Sequence, residues 1–291
     1  MRIAFLGLGL IGGSVARALR APGSPAAYAD AELVAWTPSG DGPRAARADG
    51  VLDRIANDPE TAIDGADLVV LAGPPRACID LVGRLGGPWR ASLGAVATVT
   101  DVASTKAAIT AAAERAGIPF VGGHPMAGRE VTGFAAADAA LFRDRPWVVT
   151  ESVRGGDSAA VRSLAVACGA RPVELDAARH DRLVAAISHL PLLASVALVE
   201  AVAGTASVPA ADWPDAAALA AGGWRDTTRI AGGDPALWTA IFQANRAEVL
   251  AALGRLTGWL DEFRRLLESG DTDGLFRWLS EGKQVRDALG T

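Results

Sequence analysis

Residues 2–12 read Arg2-Ile3-Ala4-Phe5-Leu6-Gly7-Leu8-Gly9-Leu10-Ile11-Gly12. Five residues of buried-strand character run straight into Gly-x-Gly-x-x-Gly, and residues 11–19 then carry a helical pattern. A glycine triplet alone says little. Between a strand and a helix it reads as a dinucleotide-binding turn. Gly7 permits the tight turn, Gly9 lets the backbone approach a pyrophosphate, and Gly12 lets the helix pack close to the sheet. The helix N-terminus offers free N–H groups and a partial positive charge to the phosphates. Gly7, Gly9, Leu10, Ile11 and Gly12 are therefore candidate coenzyme-binding residues. The same apolar stretch, with Ala27-Tyr28-Ala29 beyond it, also resembles a secretory leader, but the glycine spacing and the helical placement of Arg17 and Arg20 favour the nucleotide turn.

Working outward, short β-type runs at 32–36, 67–72, 94–100, 119–121, 147–150 and 172–175 alternate with helical segments such as 105–116 and 159–168. That alternation predicts a parallel sheet covered on both faces. After residue 176 the strand signals stop. Residues 179–202 read as one long apolar helix, and 212–231 are punctuated by Pro214, Gly222 and Gly223. A stripe follows at Leu237, Ile241, Asn245, Val249, Leu253, Leu256, Leu260, Phe263 and Leu267. Steps of three and four residues predict a single helix of ~45 Å, either a scaffold helix that also packs against a partner subunit or a core helix of a monomeric domain. The expected fold class is α/β: a Rossmann-type dinucleotide-binding domain over 1–175, then an all-α substrate and dimerisation domain over 176–291. No run of ~18 residues is apolar without interruption, so no membrane span is expected, and a cytoplasmic protein is.

The composition excludes several classes. The 291 residues are 50% hydrophobic and carry a net charge of -5, a mild acidity that argues against a nucleic-acid binder, which needs a basic face. Cys78 and Cys168 sit in no CxxC and only three histidines are present, so neither a disulfide framework nor a metal site is expected.

The second strand ends Trp36-Thr37-Pro38-Ser39, without the acidic residue that usually holds an NAD ribose. Thr37, Ser39 and Arg44 are candidates to receive a 2′-phosphate, which leans the coenzyme toward NADP or dual use, although Asp41 lies close by. Four further segments carry chemistry. In Thr100-Asp101-Val102-Ala103-Ser104-Thr105-Lys106, Asp101 is a candidate coenzyme contact or helix cap, and Ser104 lies at a strand's carboxyl end, where ligands sit in open α/β folds. In Gly122-Gly123-His124-Pro125-Met126-Ala127-Gly128, a histidine on a tight loop is a candidate acid/base group. Ser188-His189-Leu190-Pro191 breaks the long helix. His180, nine residues earlier, falls half a turn out of phase, so it is expected to face away from His189 as a surface or capping residue. Trp224-Arg225-Asp226-Thr227-Thr228-Arg229 sets two cations around one carboxylate, and arginine binds substrate carboxylates bidentately.

Taken in order, GLGLIGGS, TDVASTK, GGHPMAG, SHLP and RDTTRIA resemble the prephenate/arogenate dehydrogenase (TyrA) family of tyrosine biosynthesis across essentially the whole chain. The resemblance implies a homodimer, and NAD- or NADP-dependent oxidative decarboxylation of prephenate to 4-hydroxyphenylpyruvate. It implies that His124 accepts a hydrogen bond from the substrate hydroxyl and that Ser104 orients that hydroxyl and the nicotinamide. His189 and Arg229 would engage the substrate's carboxylate end, Glu130 would gate or polarise the pocket, and Asp226 would orient Arg229. Two positions depart from the pattern: Leu192 stands where the family writes a second histidine after Ser-His-Leu-Pro, and Arg129 precedes Glu130, adding a cation to the expected pocket. The choice between prephenate and arogenate therefore stays open, as does an amino-substituted prephenate of secondary metabolism. A dehydrogenase of the 6-phosphogluconate type would place a catalytic lysine on the first helix of the second part, where this chain has only Arg182 and His189. A coenzyme-binding sensor without catalysis would not need His124 and Ser104.

Overall fold

The computed structural model describes residues 1–289. Among them, β1 (Arg2–Leu6), β2 (Glu32–Trp36), β3 (Arg54–Ile55), β4 (Leu68–Leu71), β5 (Thr98–Asp101), β6 (Phe120–Pro125), β7 (Pro146–Val153) and β8 (Arg171–Glu174) form one sheet in the order β3-β2-β1-β4-β5-β6-β7-β8. The first six strands are parallel. β7 runs antiparallel to β6, and β8 is parallel to β7, so the expected all-parallel sheet is mixed at one end. The hydrophobic runs at 147–150 and 172–175 marked these strands but carry no sign of direction.

Alternation along each strand divides the core into two layers. Ile3, Phe5, Leu33, Leu68 and Val70 face one side, with Val15 and Leu19 of α1 (Leu10–Leu19) and Val161 and Leu164 of the helix Ser158–Ala167. Ala4, Leu6, Val34, Val69 and Leu71 face the other, with Cys78, Val82 and Leu85 of the helix Pro75–Gly86 and Ile109 of the helix Ala107–Ala116. Each such Val, Leu, Ile or Phe contributes roughly 1.5–3 kcal/mol by leaving water. The central strands are buried on both faces, which is why they read as continuous apolar runs.

Strand order reverses beside β1: β2 lies on one side of it and β4 on the other. This is the switch point where α/β sheets open a crevice at the carboxyl ends of their strands. Gly7 sits there with φ +110, and a Cβ on it would lie 2.5 Å from the Ala72 carbonyl oxygen. Gly12 is pressed on Ala72 as well, whereas a Cβ on Gly9 would meet no protein atom within 4 Å.

By compactness the chain divides into residues Met1–Asn245 and Arg246–Thr291. The first unit continues past the sheet into a helical run made of Ala177–Val184, a wide π turn at Ala185–His189, and Leu190–Ala203. Pro191 explains the wide turn, since it has no N–H to return to the preceding turn and its ring crowds the carbonyl four residues back. This run of 27 residues contains a window of mean hydropathy 1.9 and is long and apolar enough to cross a membrane by length and composition. The core helix of a soluble protein passes the same test, so the expectation of no membrane span is not overturned. Two of the run's polar side chains, His180 and Asp181, are tied into the sheet domain, as described below. Trp213–Leu219, Gly222–Thr228, a 3₁₀ turn at Arg229–Gly232 and Pro235–Ala244 complete the unit.

The single ~45 Å helix expected from the stripe is two helices. The first ends at Ala244; Asn245 leaves helical geometry at φ -116, ψ 29, and the next helix spans Arg246–Ser269. Asn245 turns its amide inward, where it is 4% exposed, to reach a main-chain carbonyl. The second unit is a hairpin of Arg246–Ser269 and Thr272–Ala288. Gly270, at φ +67, makes its turn, Asp271 caps the second helix through Gly274 N, and Phe263 stacks on Trp278 with ring centroids 5.3 Å apart.

The glycine turn yields a first test. Gly7→Ala combines a disfavoured φ with a backbone clash and is expected to cost more than about 2 kcal/mol in urea unfolding, whereas Gly9→Ala changes stability by less than about 1 kcal/mol. Equal losses would show that the loop's packing has been misread.

Candidate active site

The carboxyl ends of β1, β5 and β6 lie on one edge of the sheet, and each carries a predicted segment. At β1, α1 begins on Gly9 with no side-chain cap and no acidic residue in its first turn. Its N–H groups and partial positive charge are thus uncompensated, which together with the open approach over Gly9 fits a pyrophosphate. Leu10 is buried and Ile11 half-buried, so their contribution is through the backbone. At the end of β2, Thr37 Oγ1 accepts a hydrogen bond from Gly40 N at 3.1 Å, and Ser39 Oγ accepts one from Asp41 N at 3.3 Å. Both hydroxyl protons remain free to donate. Arg44 reaches Asp41 Oδ1 at 2.6 Å and the Ser39 carbonyl at 3.0 Å, so the local cation is held by the local acid.

Asp101 does not face a coenzyme, which corrects the sequence reading. It is fully buried and ion-paired with Lys106 Nζ, and it accepts from Ala103 N at 3.0 Å and Gly123 N at 3.2 Å. Lys106 Nζ also donates to the Gly123 carbonyl at 2.7 Å. The pair therefore grips both polar groups of the residue before His124. A Cβ at Gly123 would lie 2.6 Å from the Asp101 carbonyl oxygen, which is why this segment needs glycine. Burial pushes the Asp101 carboxyl up, and Lys106 opposes that shift. Removing one partner of such a buried pair generally costs ~3–5 kcal/mol.

Ser104, in the loop between β5 and the helix Ala107–Ala116, is half-buried, and its hydroxyl makes no hydrogen bond among the described residues. His124, on β6, is half-buried too, and its Nδ1 lies 2.8 Å from Nε2 of His180. This overturns the expectation for His180. It is 1% exposed rather than on the surface, and its Nδ1 lies 2.8 Å from Asp181 Oδ1. Asp181 in turn accepts Lys106 N at 2.7 Å and Ala107 N at 2.9 Å, capping the helix Ala107–Ala116 from the second part of the chain. What failed is the step from helical phase to exposure, since the helix is covered on the His180 side by β6. The adjacent pair His180-Asp181 was visible in the sequence, but its partner lies 56 residues earlier, beyond the reach of local pattern.

His189 is 1% exposed and packs edge-on to Trp238 and Phe242. Asn245 Nδ2 donates to the Asp181 main-chain carbonyl at 2.8 Å, which fixes the orientation of its amide; the same nitrogen faces His189 Nδ1 at 3.3 Å. His189 Nδ1 therefore accepts, and a proton there would meet another donor. Burial holds its pKa down at about 4, with Asp181 pulling up and His180 pushing further down. Burial also holds His124 well below its ordinary 6.5, helped by His180, Lys106 and His189. Both rings are neutral at pH 7.

Arg229 and Glu130 are brought together as an ion pair between the 3₁₀ turn and the loop after β6. Asp226 is exposed and makes no bond to Arg229, so Glu130 takes the orienting part expected of Asp226. Arg129, exposed on the same loop, pairs with Asp138 at 2.5 Å. Leu192 is 5% exposed and packs toward Gly233, an apolar contact where the family pattern has a histidine.

Residues 30–174 match the family model "Prephenate dehydrogenase, nucleotide-binding domain", and residues 176–281 match "Prephenate dehydrogenase, dimerization domain". The prephenate dehydrogenase of Bacillus subtilis (strain 168) is 30% identical over 295 residues, covering 99% of this chain and 76% of that protein. The chain belongs to the prephenate dehydrogenase family. It is an NAD(P)-dependent dehydrogenase with a Rossmann-type domain followed by a helical dimerisation domain. Two solved structures of the family are similar throughout. Synechocystis arogenate dehydrogenase is 31% identical with TM-score 0.81, covering 99% of this chain and 100% of that one. Prephenate dehydrogenase from Aquifex aeolicus, in complex with hydroxyphenyl propionate and NAD+, is 26% identical with TM-score 0.84, covering 99% and 98%.

The neutral rings of this dehydrogenase give a pH prediction. Between pH 6.5 and about 4 the unfolded chain binds a proton at His189 that the folded chain does not. Stability must therefore fall as pH falls through that window, by up to about 3 kcal/mol from this ring. Urea midpoints measured from pH 7 to 4.5 are expected to decline less steeply in His189→Gln, and parallel declines would refute the buried neutral ring.

Proposed function

We propose that the chain converts prephenate to 4-hydroxyphenylpyruvate by oxidative decarboxylation, with the neutral His124 ring accepting a hydrogen bond from the substrate's C4 hydroxyl. The observation that carries this reading is the His124 ring, half-buried at the carboxyl end of β6, bonded through Nδ1 and held neutral by burial. When bound, the nicotinamide supplies an acceptor for the hydrogen leaving C4 with its electron pair. The chain's own work is orientation and charge. His124 Nε2 draws on the hydroxyl proton and makes the C4 oxygen a better electron donor as the ring carboxylate leaves as CO₂. Ser104, with its unpartnered hydroxyl, orients the same oxygen. Arg229, whose side chain is 64% exposed beside Glu130, receives a substrate carboxylate, and His189 lines the site as a neutral ring. Gly7, Gly9 and Gly12 carry the pyrophosphate, and Thr37 and Ser39 donate to the ribose end.

NAD and NADP are both accepted in this reading, because β2 ends without an acid and Arg44 must leave Asp41 to meet a 2′-phosphate. Arogenate is the second reading: Leu192 removes one polar partner from the substrate's side. The active form is a homodimer in the soluble phase of the cytoplasm. Leu190–Ala203 is apolar yet buries only Leu192 and Ser195 within the protomer, and Trp259, Leu260, Phe276 and Leu279 are more than half exposed. A second copy is the natural cover for such faces.

Coenzyme reduction with prephenate and with arogenate, each with NAD and NADP, tests the assignment directly; no turnover in any combination would overturn it. In His124→Asn, kcat is expected to fall by ~10²–10⁴ while coenzyme affinity is kept. Arg229→Ala should raise the substrate KM at least ~10-fold with kcat nearly unchanged, the pattern of a lost carboxylate anchor. A KM that stays put would leave the arginine with only its tie to Glu130.

A further inference from the structure

We propose that His180 and Asp181 are positioning residues for the reaction: they fix the tautomer of His124 so that its Nε2 always presents a lone pair to the substrate. The inference deepens the reading of His124 given above and rests on it.

The argument runs along one hydrogen-bonded chain. Asp181 receives N–H groups at both carboxylate oxygens, from Lys106 and Ala107, and the third group aimed at it is His180 Nδ1. A carboxylate so surrounded can only accept, so Nδ1 of His180 carries a proton. A His180 ring with its one proton held at Nδ1 presents Nε2 as the acceptor. It faces His124 Nδ1 at 2.8 Å, so that nitrogen carries the proton and donates. The neutral His124 ring is left with an unprotonated Nε2, which makes no hydrogen bond among the described residues. Without His180, burial would still keep His124 neutral, but the ring could hold its single proton on either nitrogen. In the wrong tautomer Nε2–H would confront the substrate hydroxyl with a donor. The Asp-His pair of hydrolases solves the same problem for a neighbouring group.

The balance of the reaction suits this arrangement. The hydrogen at C4 leaves with its electron pair, the bond to the ring carboxylate breaks to give CO₂, and that bond's electrons complete the aromatic ring. The hydroxyl proton stays on the product oxygen. His124 therefore needs to share a proton and return it, not export one. A chain that ends on a capped, buried carboxylate is sufficient.

The test uses the chain's own scarcity of histidine. The untagged protein has three, so ¹⁵N-histidine labelling gives six ring nitrogens to assign. The wild-type spectrum is expected to show His124 protonated at Nδ1 and bare at Nε2, a result that needs no variant to fold. His180→Leu removes the acceptor; it should give a mixed or inverted His124 tautomer and a kcat at least ~10-fold lower, with KM values for substrate and coenzyme within about 2-fold. His180→Gln, whose amide oxygen can accept from Nδ1, should recover both the tautomer and most of kcat. A wild-type His124 protonated at Nε2 would overturn the proposal. So would an unchanged kcat in His180→Leu, or a loss in His180→Leu that His180→Gln does not recover. Because the tautomer is read in the free protein, the wild type failing to turn over any cyclohexadienyl substrate would sink the function while leaving this result to be judged separately.

Discussion

The carboxylate of Asp181 is the joint on which the site depends. Its two oxygens take the first N–H groups of the helix Ala107–Ala116, and one of them also takes Nδ1 of His180. A buried carboxylate is costly unless satisfied, and here a helix N-terminus supplies both hydrogen bonds and a favourable dipole. The same contact fixes where the helical run after residue 176 begins relative to β5 and β6. The fold and the chemistry therefore share one anchor: the residue that docks the second part of the chain onto the sheet also orients the ring beside His124.

A second buried charge works from the other side. Asp101 and Lys106 are both fully buried and bind the N–H and the carbonyl of Gly123. A packed apolar pair would serve stability as well or better. What the ion pair adds is a fixed peptide on each side of Gly123, and hence a fixed backbone for His124. Lys106 also places a positive charge near the His124 ring, and burial and that charge both disfavour its protonation. The ring is kept neutral by its surroundings, before any ligand arrives.

Much of this was legible in residues 2–12, because a strand, three glycines and a helix are local and periodic. The two-layer core followed from runs such as Leu68–Leu71, and His124 from its glycine and proline neighbours. What escaped was nonlocal or irregular. The direction of β7 and β8 depends on which partner they find. β3, two residues long with exposed side chains, leaves no pattern. The stripe from Leu237 to Leu267 keeps its period straight through Asn245, since a capping asparagine at the break occupies a stripe position. His180 was read as exposed from helical phase alone, but phase does not say which helix faces a sheet will cover. Asp101 looked like a coenzyme contact because its place at the end of β5 is a ligand-binding place, but its oxygens are taken by Lys106, Ala103 and Gly123.

The charge of the whole chain says little about a substrate that is an anion, because the relevant charges are few and local. Arg229 is the cation held near the loop after β6, and Glu130 offsets it in the free protein. Arg129 and Arg44 are each claimed by a neighbouring carboxylate. In the proposed reading, Arg229 meets a substrate carboxylate by exchange, a substrate carboxylate against a protein one, rather than by attraction to a bare positive patch. Such an exchange gains little energy from charge alone, since one ion pair replaces another. In the same reading, discrimination falls to the neutral rings of His124 and His189 and to the apolar Leu192.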